Sequence, residues 1–303
     1  MKEQLNRPKR FGEVLDVIFT LSRYRFMDFL KIYLIVIGPI ILLEMLVQIS
    51  MGKSFFRDIG PGANWFEQII NSFADENIFE SNLKEDLVNT GLLFLTIFFG
   101  VFATISVLYV VDHIRKGEDY DLSGVIKQSF TKFLPIIGAS ALLFISILAL
   151  FIIIIIVSVI IGVILDSLST LLSALFIFVL ILGIVVIMIY LGVRLSFYIA
   201  KIAFNSSVIE SFQESWRMTK GRVLFVFGLY LIFTLIIGVV LNVFEFSFGF
   251  ALGNSILFRL IINLVTLITT MIGAVAYAVV YFDLQSRHDA SDLKMMIEEY
   301  EQE

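Results

Sequence analysis

Residues 134–165 read LPIIGASALLFISILALFIIIIIVSVIIGVIL without one charged side chain, and only Asp166 and Ser167 separate them from a second apolar run that begins at Leu168. A bilayer core of about 30 Å needs roughly 20 apolar residues in a helix rising 1.5 Å per residue, so either run spans with length to spare. Two such runs joined by so short a polar turn form a membrane hairpin. The composition agrees, since hydrophobic residues make up 59% of the chain, charged residues only 16%, and the mean hydropathy is +0.95. Soluble domains are closer to half apolar and a quarter charged.

Outward from that hairpin, six apolar stretches stand out, at about 29–50, 89–111, 134–165, 168–198, 223–249 and 256–282. The expected fold is all-α: one polytopic membrane domain over 1–303, with six transmembrane helices arranged as three hairpins. Residues 1–28 are expected to form a cytoplasmic amphipathic segment, 52–88 an external loop and 283–303 a cytoplasmic tail. Orientation follows from the basic residues. Of 22 Lys and Arg, all but Lys53, Arg57, Lys84 and Arg259 fall in the segments that would share one side with the N-terminus. By the positive-inside rule both termini are cytoplasmic. Met1 to Arg10 is polar and leads into an amphipathic segment, with no short apolar stretch and cleavage site, so the first span is expected to act as its own insertion signal.

A second regularity precedes each odd-numbered span. Ahead of the first lies FGEVLDVIF, with Phe11, Val14, Leu15 and Ile18 on one helical face; ahead of the third, Leu122, Val125, Ile126, Phe130 and Phe133 form a similar stripe. Ahead of the fifth, Val208, Ile209, Phe212 and Trp216 recur at helical spacing, and Ser207 to Glu210 reads as a capping box. Three amphipathic helices at the cytoplasmic interface are therefore expected. Each unit repeats the same order of interfacial helix, basic turn and two crossings, which suggests an internal repeat related by an axis along the membrane normal. In the outer loop, Trp65, Phe66, Ile69, Ile70 and Phe73 fall on one face behind Asn64, as in a further interfacial helix. Phe244, Phe246, Phe248 and Phe250 alternate with Glu245, Ser247 and Gly249, which fits either an aromatic interfacial belt or local extension. The tail SDLKMMIEEY is expected to form a short helix from a Ser291 cap, with Leu293, Met296, Ile297 and Tyr300 on one face.

Three stretches together resemble the bacterial family named for the glycerophosphoryl diester phosphodiesterase membrane domain: RPKRFGEVLDVIFTLSRYRFMDFLKIYLI, SVIESFQESWRMTKGRVLFVFGLYLI and AVVYFDLQSRHDASDL. The matching positions are Gly12 to Asp16, Ser215 to Arg222 and Tyr281 to Leu284; Gln285 and Ser286 depart from the basic continuation usual there. The resemblance implies an all-helical integral module of the bacterial cytoplasmic (inner) membrane. In that family's namesakes the module is joined to a separate catalytic domain, of which this sequence carries no counterpart.

The residues themselves offer little for catalysis. Zero cysteines exclude disulfides, thiolate metal sites and thiol nucleophiles, and the two histidines, His113 and His288, lie at opposite ends of the chain. Metalloprotease, nucleophile-elbow, P-loop and dinucleotide-binding signatures are missing. The reading is therefore non-enzymatic, with no catalytic residue, cofactor or metal site, and no nucleic acid partner. Glu44 is the acid that falls well inside a span, 13 residues beyond Lys31 and so about 20 Å along the helix. Gln48 shares its face one turn on, Pro39 loosens the helix below, and Arg259 is the best candidate partner. That set is either a structural polar pair, with Glu44 charged or neutral, or a transport site. Arg194 and Lys201 are read as snorkelling topology markers. Trp216, Arg217, Lys220 and Arg222 are candidate contacts for lipid headgroups. Two functions stay open: an accessory or scaffold membrane protein in envelope or lipid homeostasis, binding lipids and other membrane proteins, or a permease or exporter for a lipid or amphipathic peptide.

Overall fold

The computed structural model of the chain describes residue 5 and residues 7–57, 83–167, 169–204, 207–253 and 255–300. All regular structure among the described residues is helical. The elements are α1 (Phe11–Tyr24), α2 (Phe26–Val36), α3 (Gly38–Ser50), α4 (Leu83–Lys116), α5 (Leu122–Phe130), α6 (Phe133–Asp166), α7 (Thr170–Leu195), α8 (Tyr198–Ala203), α9 (Val208–Met218), α10 (Val223–Leu252) and α11 (Ile256–Tyr300). Five helices are long and apolar enough to cross a membrane, and a sixth crossing results if the bent pair α2–α3 counts as one. The protein is thus a multi-pass membrane protein. The helix outlined for Trp65 to Phe73 lies outside the described residues.

Helix wins in α6 despite its Ile-rich run because hydrocarbon offers the backbone no partner: a chain segment in lipid must satisfy its own N–H and C=O groups. Pro135 is tolerated because it sits in the first turn, where its missing N–H would have no intrahelical acceptor. Pro39 does the opposite. It lacks the N–H that would bond the Ile35 carbonyl and disfavours helical backbone just before it, so the first expected span breaks at Ile37 into α2 and α3, bent by 46°. At the end of α4, Gly117 takes φ +78°, and its N–H and that of Glu118 both bond the His113 carbonyl, at 2.8 and 2.9 Å. That left-handed stop is open to glycine at little cost. Downstream, the Asp121 carboxylate accepts from the Ser123 hydroxyl and, at 2.9 Å, from the Gly124 N–H, which holds its pKa below the usual carboxylate range and caps α5.

Backbone contacts divide the chain into two units, Met1–Lys127 with Leu231–Val280, and Gln128–Tyr230 with Tyr281–Glu303. In the first, α2 packs on α4, and its Phe29, Ile32, Tyr33 and Val36 are buried, as are Phe102, Ile105, Leu108 and Val111 of α4. The Tyr33 hydroxyl donates to the Thr270 carbonyl at 3.2 Å and meets Thr104 Oγ1 at 3.4 Å, tying α2, α4 and α11 together. In the second unit, α6 and α7 form an antiparallel hairpin, and α8 and α9 pack against α6. Tyr281 stacks on Phe204 with ring centroids 5.8 Å apart.

Several expectations change. The aromatic run at 244–250 is helical to Leu252, so no local extension occurs. The tail is not a separate helix: α11 runs unbroken from Ile256 to Tyr300, and Ser291 lies inside it with no cap to provide. A continuous i to i−4 ladder outcompetes a side-chain cap once the preceding turn is helical. α1, α5 and α9 all exist; α5 packs through its expected stripe, with Val125 and Ile126 buried and Leu122 and Phe130 half-buried, whereas the packed faces of α1 and α9 are rotated from theirs. α1 buries Val14, Val17, Ile18 and Leu21, with Phe11 and Leu15 half-buried. α9 buries Ser211, Ser215 and Met218, leaving Ile209 and Trp216 exposed.

Candidate functional site

Three polar constellations stand out against the apolar background. The first surrounds Glu44, where α3 and α11 meet in the first unit. Arg259 Nη1 lies 3.8 Å from Glu44 Oε1, and Asn263 Nδ2 donates to Glu44 Oε2 at 2.9 Å, so both carboxylate oxygens face donors. A charge at the centre of a membrane helix costs about 2.5–3.5 kcal/mol, and compensation of this kind is the usual remedy. The set borders a cavity of about 390 Å³, lined by Glu44, Glu245, Phe258, Arg259, Ile262 and Asn263. Gln48 belongs to a different pair: fully buried, it donates from Nε2 to Asn89 Oδ1 of α4 at 2.9 Å. Asn263 escaped the sequence reading although it sits one turn after Arg259, the spacing that places two side chains on one face. Asn89, an amide opening an apolar helix, carried no such signal.

The mouth of that region is fastened by backbone. Ile256 and Leu257 N–H groups each bond a carbonyl of the 52–57 segment, Ser54 and Phe55, at 3.1 Å, and Arg57 Nη1 donates to the Phe250 carbonyl at 2.7 Å. The Arg57 side chain lies against Gly253, where a Cβ would come within 3.4 Å of it, and Gly253 has φ +58°. The turn between α10 and α11 is accordingly held on both sides.

The second constellation centres on Arg194, in the second unit. It does not snorkel. Buried to 7% exposure, its Nη1 donates to the Trp216 carbonyl at 2.7 Å and its Nε to the Tyr190 hydroxyl at 3.0 Å. The guanidinium carbon lies 4.4 Å from the Trp216 ring centroid and 5.4 Å from that of Tyr190. Ser215 completes the junction, donating to the Arg194 carbonyl at 2.8 Å and accepting from the Phe197 N–H at 3.2 Å. Ser215-Trp216 is therefore a fastening of α9 to the end of α7, Thr219 bonds back to the Ser215 carbonyl at 2.9 Å, and Gly221 turns the chain at φ +75°. Arg217, Lys220 and Arg222 point away from this junction and are exposed. Of the four headgroup candidates, Trp216 therefore has a structural duty and the three cations remain at the surface. Lys201 pairs with Glu214 at 3.1 Å.

The third constellation braces the corner between α1 and α2. The Tyr120 hydroxyl donates to Asp28 Oδ2 at 2.7 Å, with Arg25 Nη1 3.5 Å from the same oxygen. Burial, reinforced by the Asp28 carboxylate, pushes the Tyr120 hydroxyl well above the ordinary tyrosine value, so it remains a donor at any working pH. The Tyr281–Leu284 stretch is a core element: all four residues are buried, and Asp283 accepts at 2.8 Å from Nε of Arg287, which lies one turn on and directly after the positions that depart from the familiar pattern. His113 Nδ1 lies 2.8 Å from the Tyr109 carbonyl. Among the described residues no group of three or more His, Cys, Asp or Glu could hold a metal ion.

Two measurements test these geometries. In purified protein, Glu44→Gln and Arg259→Gln should each lower thermal stability, and the double variant should lose less than their sum by about 0.5–1 kcal/mol, as for polar pairs between membrane helices; strict additivity rejects the pair. In a Trp65→Phe background, Arg194→Ala should shift Trp216 emission to longer wavelength and destabilise by about 2 kcal/mol through loss of the stacking and charged hydrogen bonds. Arg217→Ala should move neither.

No curated protein and no solved structure matches the chain. One family match covers most of its length, residues 34–284, from the bend of the first crossing to the buried end of the Tyr-Phe-Asp-Leu motif. The match carries no link to the phosphodiesterase membrane module. The chain belongs to the family described as Domain of unknown function (DUF7847).

Proposed function

We propose that this protein is a non-enzymatic accessory or scaffold protein of the bacterial cytoplasmic (inner) membrane, acting in envelope or lipid homeostasis. In this reading α2–α3, α4, α6, α7, α10 and α11 make six crossings as three hairpins, with both termini in the cytoplasm and α1, α5 and α9 at the cytoplasmic interface. The observation that carries it is the α6–α7 hairpin. None of the most apolar window of α6 and only 6% of that of α7 is buried within the chain. In the middle of α6 the hydroxyls turn inward on their own helix, Ser146 bonding the Leu142 carbonyl at 2.7 Å and Ser158 the Ile154 carbonyl at 2.5 Å. Such a hairpin offers nothing to a polar substrate and a large apolar surface to lipid tails or to another membrane protein. α9 supports the interfacial placement: it docks through small serines and the Trp216 ring, and turns Ile209 outward, with Arg217, Lys220 and Arg222 also exposed. Near an anionic leaflet each such cation contributes about 1 kcal/mol.

The permease reading keeps one specific support, the cavity beside the Glu44–Arg259 pair. Reconstituted into vesicles, the protein is expected to leave proton permeability and the transbilayer movement of fluorescent phospholipid at the level of protein-free vesicles. A protein-dependent flux abolished by Glu44→Gln would replace the scaffold with the permease.

Orientation is directly measurable because the chain has no cysteine of its own. Single cysteines at Lys84 and Ser169 should react with an impermeant maleimide from outside the cell, and those at Lys127 and Arg217 after the inner face is exposed. Labelling of all four from one side rejects the topology.

A further inference from the structure

We propose that the cavity between α3, α10 and the start of α11 is a binding site for an organic ammonium group, with Glu245 as its carboxylate and Phe258 as its wall. Glu44 already faces Arg259 and Asn263, so the charge of that pair is internally met. Glu245 is different. It lines the same cavity, is exposed, and has no hydrogen bond or ion pair among the described residues. It is also the one charged side chain in the whole of α10, set between Phe244 and Phe246 less than two turns from the end of the helix at Leu252.

Arg259, the guanidinium among the lining residues, faces Glu44. Residues 58–82 of the loop between α3 and α4 contain no Lys, Arg or His. With two carboxylates and one guanidinium among its lining residues, the cavity lining carries one net negative charge. A cationic group from outside would balance it.

The lining selects the kind of cation. At about 390 Å³ the space is far larger than a bare metal ion needs, and no metal-holding group of side chains occurs among the described residues. An alkylammonium fills more of such a volume, and its charge is attracted both to the carboxylate and to the face of an aromatic ring. Phe258 supplies that ring, which lies against Gly249 of α10: a Cβ added there would sit 3.6 Å from two of its ring atoms. The Ser54, Phe55 and Arg57 bonds to the α10–α11 turn hold the adjoining backbone. The ammonium can come from an ethanolamine lipid headgroup or from a free amine, and both present the same group to Glu245.

Native mass spectrometry of the whole protein separates the sources. Released from membranes containing phosphatidylethanolamine and phosphatidylglycerol, the wild type should retain one phosphatidylethanolamine. Retention should fall at least tenfold in Glu245→Gln, about threefold in Phe258→Leu, and not at all in Arg217→Ala. If no lipid is retained but ethanolamine raises the thermal midpoint of the wild type and not of Glu245→Gln, the ligand is a free amine. Equal retention by wild type and Glu245→Gln overturns the site, as does a preference for phosphatidylglycerol. So does the absence of both lipid retention and an ethanolamine shift. Glu245 is exposed, so its substitution should leave folding intact; should the variant fail to fold, Phe258→Leu decides by the same readings.

Discussion

Hydrocarbon forms no hydrogen bonds, and most features of this protein follow from that. A backbone group left open in lipid costs several kcal/mol, so each crossing must be helical whatever its side chains prefer. That is why a run as rich in β-branched residues as α6 is helical from Phe133 to Asp166. It is also why proline placement carries such weight. Pro135 at a helix start changes nothing, whereas Pro39 in mid-crossing splits α2 from α3, and the bend brings the next turns, with Glu44 and Gln48, to partners on other helices.

The same constraint sorts the polar side chains. Ser, Thr and Asn hydroxyls and amides within the crossings mostly bond the carbonyl one turn back, as Thr96, Ser106, Ser146, Ser158 and Asn242 do. Such groups are locally closed and add nothing between helices. The exceptions hold the helices together: Tyr33 to Thr270, Gln48 to Asn89, and Glu44 to Asn263 and Arg259. Apolar burial contributes less here than in water, because lipid tails are as apolar as the leucines they would displace. A few directed bonds therefore fix which helices meet, and close packing does the rest.

Arg194 shows the constraint acting on a full charge. The usual expectation for a basic residue near a helix end is that its head escapes to water along a flexible stem. Here the next segment folds back as α9, and the guanidinium is enclosed by the Trp216 carbonyl, the Tyr190 hydroxyl and two aromatic rings. The planar, weakly hydrated arginine head suits such an enclosure in a way an ammonium would not. α9 is thereby tied to α7 through its serine face and the Trp216 ring, and Arg217 is left for the surroundings.

The class and most of the crossings are legible in the residues alone. Length and hydropathy are summed over 20 or more residues and survive any detail of packing, so 134–165 had to be a membrane helix, and Ser207 with Glu210 had to favour a helix start. What the tertiary structure decided was which polar groups meet and which faces are used. The fully buried face of α9 is its Ser211 and Ser215 side, while Ile209 of the apolar stripe is exposed and Val208 and Phe212 are half-buried, because the small serines permit the closest approach. Arg194 found its partners 22 residues away at Trp216, and Asn263 found Glu44 across 219. Periodicity within one helix cannot encode a pairing between two, because that depends on how bends such as the one at Ile37 aim the following turns. Even the end of α11 obeyed this limit: the local cap signal at Ser291 was sound for an isolated peptide, and the helix already running through it removed its purpose.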